Sequence, residues 1–183
     1  NEYCFIVDPL DGTKEFIQRN GQFTVNIALV CRQRPVMGVI YVPVSDQLYF
    51  AGRGIGAWKE KTGSGLAARL KVSDRIDHLV VAGSRSHASL QEADLMDRHS
   101  HLIAETITAG SSLKGCMVAE GKADVYYRFG LTCEWDTAAM QCLAEEAGGI
   151  FRQMDGSEML YNRENSLNEK GFYIVNRAEN IWV

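Results

Sequence analysis

The first third of the chain alternates short apolar runs with polar breaks, a pattern typical of β-strands joined by tight connections. The runs are rich in β-branched and aromatic residues and cover 3–7, 23–31, 35–42 and 47–51. Short connections favour antiparallel neighbours, because parallel strands need crossovers of about a dozen residues or more. The glycine-rich stretch 52–58 lacks the G-x-G-x-x-G spacing and a following amphipathic helix, so we interpret it as a hairpin turn.

Beyond a small polar loop at 61–65, strand and helix patterns alternate. The clearest helix is predicted over 134–147, where Trp135, Ala138 and Cys142 share one face and Gly148 follows as a stop signal. A strand meander followed by alternating helices and strands predicts a layered α/β (α+β) fold. The other predicted strands are 79–82, 106–109, 125–127 and 172–175, and the other predicted helices are 89–98 and 112–120.

Composition narrows the class of protein. The 183 residues carry 19 Lys and Arg against 23 Asp and Glu, a net charge of -4, which argues against a partner that is a nucleic acid polymer or a membrane surface. No apolar run approaches the roughly 18 residues of a transmembrane helix. The five cysteines are odd in number and show no C-x-x-C spacing, so a reducing, cytoplasmic location is expected.

The segment from Val7 to Thr13 carries the first candidate chemistry. A hydrophobic strand is followed by Asp8 and Asp11, three residues apart around a proline that stiffens the backbone. Carboxylate oxygens suit hard cations such as Mg²⁺. Gly12 would let the backbone approach an anion closely, and the Thr13 hydroxyl would orient a water. A turn with two solvated aspartates is the alternative interpretation.

A third carboxylate, Asp136, lies at the start of the predicted helix 134–147. Acidic residues are favoured there by the helix dipole whatever their function. Beside Asp8 and Asp11, however, this carboxylate would complete a two-metal site for phosphoryl transfer.

Together, the strand followed by Asp-Pro-Leu-Asp-Gly-Thr and the later Trp-Asp-x-Ala-Ala resemble the two signature motifs of the inositol monophosphatase superfamily. The resemblance covers the chain from Tyr3 onward. It implies a lithium-sensitive phosphatase with an αβαβα sandwich fold and two or three Mg²⁺ ions. Carried over by motif, the metal ligands would be Asp8, Asp11, Asp136 and the Leu10 carbonyl. By the same resemblance, Gly12 and Thr13 would contact the scissile phosphate, and Thr13 would help to activate the attacking water.

Within that superfamily, the chain is most similar to the 3'(2'),5'-bisphosphate nucleotidase branch. The similarity lies in Lys-Glu-Phe-Ile after the first motif, in Gly-Ser-Arg-Ser-His at 83–87 and in Gly-Ser-Ser-Leu-Lys at 110–114. Relatives that prefer inositol tend to carry an acidic residue where this chain has Arg128, and an arginine suits a second phosphate better. The resemblance therefore implies a small phosphorylated nucleotide as the partner, bound in a pocket that contains Ser84, His87, Ser111, Lys114 and Arg128.

The expected reaction is hydrolysis of the 3'-phosphate of adenosine 3',5'-bisphosphate to AMP and phosphate, in the context of sulfur assimilation. Two alternatives are open: an inositol-phosphate or sugar-phosphate phosphatase, and an inactive fragment that only binds nucleotide. The resemblance leaves room for a homodimer and for peripheral association with the inner membrane. Residues 1–183 are treated as a single region, with the metal-binding loop in a mainly antiparallel part, 1–66, and the substrate pocket and second metal motif in an α/β part, 67–183.

The chain departs from the family pattern at its start. It begins without Met, directly in a strand pattern, and the family's upstream metal-binding glutamate and N-terminal helices have no counterpart here. We therefore expect a fold that lacks those helices. One face of the first sheet, which includes Val25, Ile27 and Leu29, is then expected to expose apolar side chains.

Overall fold

A computed structural model of the chain describes residues 2–84 and 89–183. Within these ranges, eleven strands and four α-helices follow one another, with two short 3-10 helices at Ser100–Leu102 and Ala178–Asn180. The strands are β1 (Tyr3–Asp11), β2 (Thr24–Cys31), β3 (Arg34–Val42), β4 (Gln47–Gly52), β5 (Gly56–Lys61), β6 (Ala68–Arg69), β7 (Leu79–Ser84), β8 (Ile103–Ala109), β9 (Val125–Arg128), β10 (Ile150–Gln153) and β11 (Phe172–Val175). The helices are α1 (Thr13–Ile17), α2 (Leu90–Arg98), α3 (Leu113–Ala119) and α4 (Glu134–Glu146).

The strands form two sheets. The first is a six-stranded antiparallel meander in the order β1-β2-β3-β4-β5-β6, so every neighbour in space is also a neighbour in sequence. The second has the order β10-β11-β9-β7-β8, in which β7 runs parallel to β8 and β9 while β11 is antiparallel to both of its neighbours. The first sheet extends to Arg69 and the second begins at Leu79.

Helices α3 and α4 lie between the sheets and form the main core with both of them. Ile40 of the first sheet, Leu143 of α4 and Ile174 of the second sheet belong to one buried cluster. Helix α2 packs on the other side of the second sheet, where Leu95 and Tyr127 belong to a second buried cluster. Among the described residues the layers follow the order sheet, helices, sheet and helix, which confirms the predicted layered α/β (α+β) fold.

Gly38 sets how closely α4 approaches the first sheet. A Cβ at this position of β3 would lie 2.5 Å from the carbonyl oxygen of Ala139 and 3.1 Å from the Cβ of Cys142. The glycine therefore allows the backbone of α4 to lie directly on the strand, and this close packing positions the start of α4, where Asp136 is found.

The outer face of the first sheet carries exposed apolar side chains, as the sequence predicts. Ile27 is 38% exposed, and on the adjoining strands Phe5 and Met37 are 71% and 51% exposed. Val25 and Leu29 are only half-buried, because they also point outward, whereas the residues that alternate with them in β2 face the core. Among the described residues, no helix has both the length and the apolar character required to cross a membrane.

Most of the predicted elements are confirmed, and the hairpin turn predicted within 52–58 is found at 53–55, between β4 and β5. Five elements differ from the prediction. Strand β1 continues to Asp11, beyond the predicted end at Val7. Helix α1 and the strands β5, β6 and β10 were not predicted, because they are short or rich in polar residues and have no clear hydrophobic period.

Candidate active site

The first two aspartates lie within strand β1, on either side of a bulge. Asp8 pairs with Asn26 and Asp11 with Thr24, and the register shifts between these pairs. Pro9 has no N–H to donate to a ladder, and the amide of Leu10 donates instead to Oδ1 of Asp8 at 3.0 Å. The expectation of a strand that ends before Asp8 is wrong, since the bulge lets the strand continue while it redirects the side chains.

The three predicted carboxylates converge. One carboxylate oxygen from each of Asp8, Asp11 and Asp136 lies within 4.8 Å of the other two. Asp136 reaches this point from the first turn of α4, where its Oδ2 accepts a 2.6 Å hydrogen bond from the backbone N–H of Cys133. A strand bulge and a helix start therefore bring together residues more than a hundred positions apart.

A shell of buried donors fixes the carboxylate of Asp11. Its Oδ2 accepts hydrogen bonds from the Thr24 hydroxyl at 3.2 Å and from Nδ2 of Asn26 at 3.1 Å. It also accepts two bonds from Ser112, one from the backbone N–H and one from the hydroxyl, both at 2.8 Å. Thr24, Asn26 and Ser112 are all buried. Because all four bonds reach the same oxygen, they hold the carboxylate in one orientation.

The electrostatics of the cluster favour a bound cation. Burial, together with the smaller contributions of the neighbouring charges of Asp11 and Asp8, raises the pKa of Asp136 to about 6. Burial also raises the pKa of Asp8, with a smaller contribution from Asp11. Three carboxylates that repel one another in a partly buried place are an arrangement that a divalent cation would stabilise. The donor set, all oxygen, fits Mg²⁺.

A cavity of about 290 Å³ lies beside Asp11 and Asp136. Lys114 and Arg128 contribute cationic side chains to its wall, and the Nη1 of Arg128 donates to the hydroxyl of Ser84 at 3.3 Å. The aromatic ring of Tyr126 also faces it, whereas Tyr127 packs on Trp182. Other lining residues include Gly12, Thr13, Lys14, Glu15, Ser111, Ser112, Thr132, Met140 and Phe172. The cavity thus combines acidic groups at one end with cationic groups elsewhere in its wall.

Gly12 and Thr13 connect the carboxylate cluster to this cavity. Gly12 has a φ of +87°, in the left-handed region that favours glycine. A Cβ there would also lie 3.1 Å from the Cβ of Ser111. The turn at Gly12 allows Thr13 to begin α1 at the cavity wall, directly after the strand that carries Asp8 and Asp11.

Comparison with known proteins places this geometry in a family. The sequence matches the inositol monophosphatase family over residues 1–180. The chain belongs to that family. A relative from Salmonella typhimurium, the 3'(2'),5'-bisphosphate nucleotidase CysQ, is 44% identical over 171 residues, which are 93% of this chain and 67% of that protein.

Solved structures of the inositol monophosphatase family agree. CysQ from Bacteroides thetaiotaomicron has a TM-score of 0.86 and 44% identity, with coverage of 96% of this chain and 71% of that one. The inositol monophosphatase from Anabaena has a TM-score of 0.77 and 29% identity, with coverage of 96% and 69%. The chain therefore spans about two thirds of the length of these family members.

The structure brings most of the predicted site residues of this phosphatase family to one place. Gly12, Thr13, Ser84, Ser111, Lys114 and Arg128 line the cavity together with Asp11 and Asp136. Neither Asp8 nor Leu10 is among the described residues that line the cavity. Asp8 lies next to it because its carboxylate is close to those of Asp11 and Asp136, and the amide of Leu10 donates to Asp8. The predicted His87 lies outside the described residues.

Sequence reasoning missed the residues that orient Asp11. Thr24 and Asn26 are polar residues at alternating positions of an otherwise apolar strand, and both face inward. An inward polar residue needs a buried partner, so this interruption was a usable signal. Ser112 carried no such signal, since its contact with Asp11 depends on the path of the loop before α3.

Proposed function

We propose that the protein is a Mg²⁺-dependent 3'(2'),5'-bisphosphate nucleotidase that hydrolyses the 3'-phosphate of adenosine 3',5'-bisphosphate to AMP and phosphate. A cytoplasmic role in sulfur assimilation follows from this proposal. The observation that carries it is the convergence of Asp8, Asp11 and Asp136 beside a cavity with Lys114 and Arg128 in its wall. The names of the similar CysQ proteins support the choice of substrate.

Asp8, Asp11 and Asp136 would hold the metal, with the carbonyl oxygen of Leu10 as a further ligand. When bound, Mg²⁺ lowers the pKa of a coordinated water and neutralises charge on the phosphoryl and leaving oxygens. The protein's own contribution is to fix the ligands. Asp11 is held by its four donors, and Asp136 by the amide of Cys133.

Gly12 and Thr13 would lie against the scissile phosphate. The Thr13 hydroxyl would form a hydrogen bond with the attacking water and so orient it. Asp136 lies in the first turn of α4, and the positive end of that helix dipole favours the charge that develops on the transferred phosphoryl group.

The cationic side of the cavity would bind the second phosphate. The planar guanidinium of Arg128 suits two phosphate oxygens at once. Lys114 uses two of its three N–H donors on backbone carbonyl oxygens, of Ala109 and Ser111. Ser84 and Ser111 would add hydroxyl contacts on this side, and His87 is proposed for the same pocket on the family motif alone.

The test is phosphate release from adenosine 3',5'-bisphosphate and, separately, from inositol 1-phosphate, with Mg²⁺ and with or without Li⁺. The proposal predicts release from the nucleotide that Li⁺ inhibits and that Asp11→Asn abolishes. Asp155→Asn is the matched control, since Asp155 lies in an exposed turn after β10 and pairs with Lys170 at the surface. Preference for inositol phosphate would overturn the substrate assignment. Nucleotide binding without release would support a fragment that binds but does not turn over.

A further inference from the structure

Lys114 is a buried lysine that is tied to the loop between β8 and α3. Lys114 is only 6% exposed. Its Nζ donates hydrogen bonds to the carbonyl oxygens of Ala109 at 3.1 Å and Ser111 at 2.9 Å. The same atom lies 5.4 Å from the centroid of the Tyr126 ring. A buried ammonium group is costly unless its donors are satisfied, so these contacts stabilise the charge and fix the loop at the same time.

The loop needs to be fixed, because its backbone is unusual and tightly packed. Ser111 has a φ of +43°, which few residues other than glycine adopt. At Gly110, a Cβ would lie only 2.4 Å from the Cγ of Glu15. Gln22 also holds the loop. Its Oε1 accepts from the Gly110 amide and its carbonyl oxygen accepts from the Ser111 hydroxyl, both at 3.0 Å. Lys114 holds the same loop through the carbonyl oxygens of Ala109 and Ser111.

The loop ends at Ser112, which donates two of the four hydrogen bonds to Oδ2 of Asp11. We propose that Lys114 is a positioning residue for the metal centre: it holds the loop 109–111 so that Ser112 orients the carboxylate of Asp11. This inference rests on the proposed function, in which Asp11 binds the metal. It adds a role for Lys114 that does not depend on the substrate.

The two roles make different predictions. A lysine that only contacts the second phosphate of the substrate affects the KM for the bisphosphate and leaves metal affinity unchanged. A lysine that positions Asp11 affects metal affinity when no substrate is present. Metal binding without substrate therefore separates them.

The experiment is a titration of the protein with Mn²⁺ in the absence of nucleotide, followed by electron paramagnetic resonance of the free ion. Lys114→Met is expected to weaken Mn²⁺ binding about tenfold, the lower end of what loss of an orienting partner costs a metal site. Ser112→Ala is expected to weaken it similarly. The Mn²⁺ affinity of the double variant should be no lower than that of the single variant that binds Mn²⁺ less tightly, because both changes remove the same contact to Asp11.

Lys59→Met is the matched control, since Lys59 also pairs with a buried partner, Glu120, but does not line the cavity. Its Mn²⁺ affinity should stay within about twofold of that of the unchanged protein, the size of effect expected for a change away from the site. If Lys114→Met does not fold, Lys114→Gln, which keeps an N–H donor, enters the same comparison.

Unchanged Mn²⁺ affinity in Lys114→Met, or losses that add in the double variant, would overturn the positioning role. If the unchanged protein itself takes up no Mn²⁺, the proposed metal centre fails, and this outcome is distinct from failure of the role of Lys114 alone.

Discussion

Asn26→Asp is the substitution that probes the orientation of Asp11 most sharply. Asn26 is 1% exposed. Its Nδ2 donates to Oδ2 of Asp11 at 3.1 Å and to the hydroxyl of Ser112 at 3.0 Å. Its Oδ1 lies 2.9 Å from the hydroxyl of Thr24, whose single proton is shared between Asn26 and Asp11. The substitution keeps the shape and the acceptor of the side chain but replaces its donor group by an oxygen that faces Asp11.

The size of the effect depends on pH. Burial and the neighbouring charge of Asp11 hold the pKa of the new carboxyl above its unfolded value, so the folded state binds a proton that the unfolded state releases. Stability therefore falls as the pH rises above the unfolded pKa of about 3.9. Near pH 4, the protonated group replaces one of the two lost donors, and the loss is about 1 kcal/mol. At pH 7, about 3 units above the unfolded pKa, keeping the proton costs roughly 4 kcal/mol more at about 1.36 kcal/mol per unit, for a total of about 5 kcal/mol.

Urea unfolding of both proteins between pH 4 and pH 7, with a chelator present, measures this difference. Asn165→Asp is the control, because the amide of Asn165 bonds to Glu169 at the exposed surface. Its effect should stay within about 0.5 kcal/mol. A loss for Asn26→Asp that does not grow with pH, or that stays below about 1 kcal/mol at pH 7, would refute the account of how Asp11 is held.

Three further predictions follow from the packing and charge of the site. Gly38→Ala should lower Tm by about 4 to 8 °C in a calorimetric melt, because overpacking against the Ala139 carbonyl costs about 2 kcal/mol and a chain of this size loses about 2 to 4 °C per kcal/mol. An unchanged Tm would show that α4 does not lie directly on β3. Because burial raises the pKa of Asp136 to about 6, the metal-free protein loses stability from this group as the pH rises from about 4 to 6, and Mg²⁺ should raise Tm more at pH 7.5 than at pH 5. An equal rise at both values would contradict the cause given for that pKa. Arg128→Glu should raise the KM for adenosine 3',5'-bisphosphate by about a hundredfold or more, since a charged hydrogen bond of about 1.5 to 3 kcal/mol is replaced by repulsion. If steady-state kinetics show an equal rise in KM for a monophosphate substrate, Arg128 does not contact the second phosphate.

The three clustered carboxylates were predictable from sequence because they lie in short, continuous motifs. Asp8 and Asp11 are separated by a proline and a leucine, and Asp136 lies in the first turn of a helix whose hydrophobic period is plain. Their chemistry is visible in the residue types alone. Their convergence within 4.8 Å is a property of the fold, and no local pattern in the sequence states it.

The orienting residues were not predictable to the same degree, because their partners are distant in the chain. Ser112 meets Asp11 across 101 positions, and Gln22 meets Gly110 across 88. Lys114 was expected to face a substrate phosphate, but its hydrogen bonds to Ala109 and Ser111 depend on a loop conformation with a positive φ at a serine. Such contacts follow from how two loops pack, which single-sequence patterns do not record.

The proposed divalent-metal centre of Asp8, Asp11 and Asp136 is open to a direct measurement. This is anomalous X-ray scattering from a crystal of the protein soaked in Mn²⁺, compared with a crystal of Asp11→Asn. We expect an anomalous peak in contact with all three carboxylates and its loss or strong weakening in the variant. A peak elsewhere on the protein with none at these carboxylates, or an equal peak in Asp11→Asn, would contradict it.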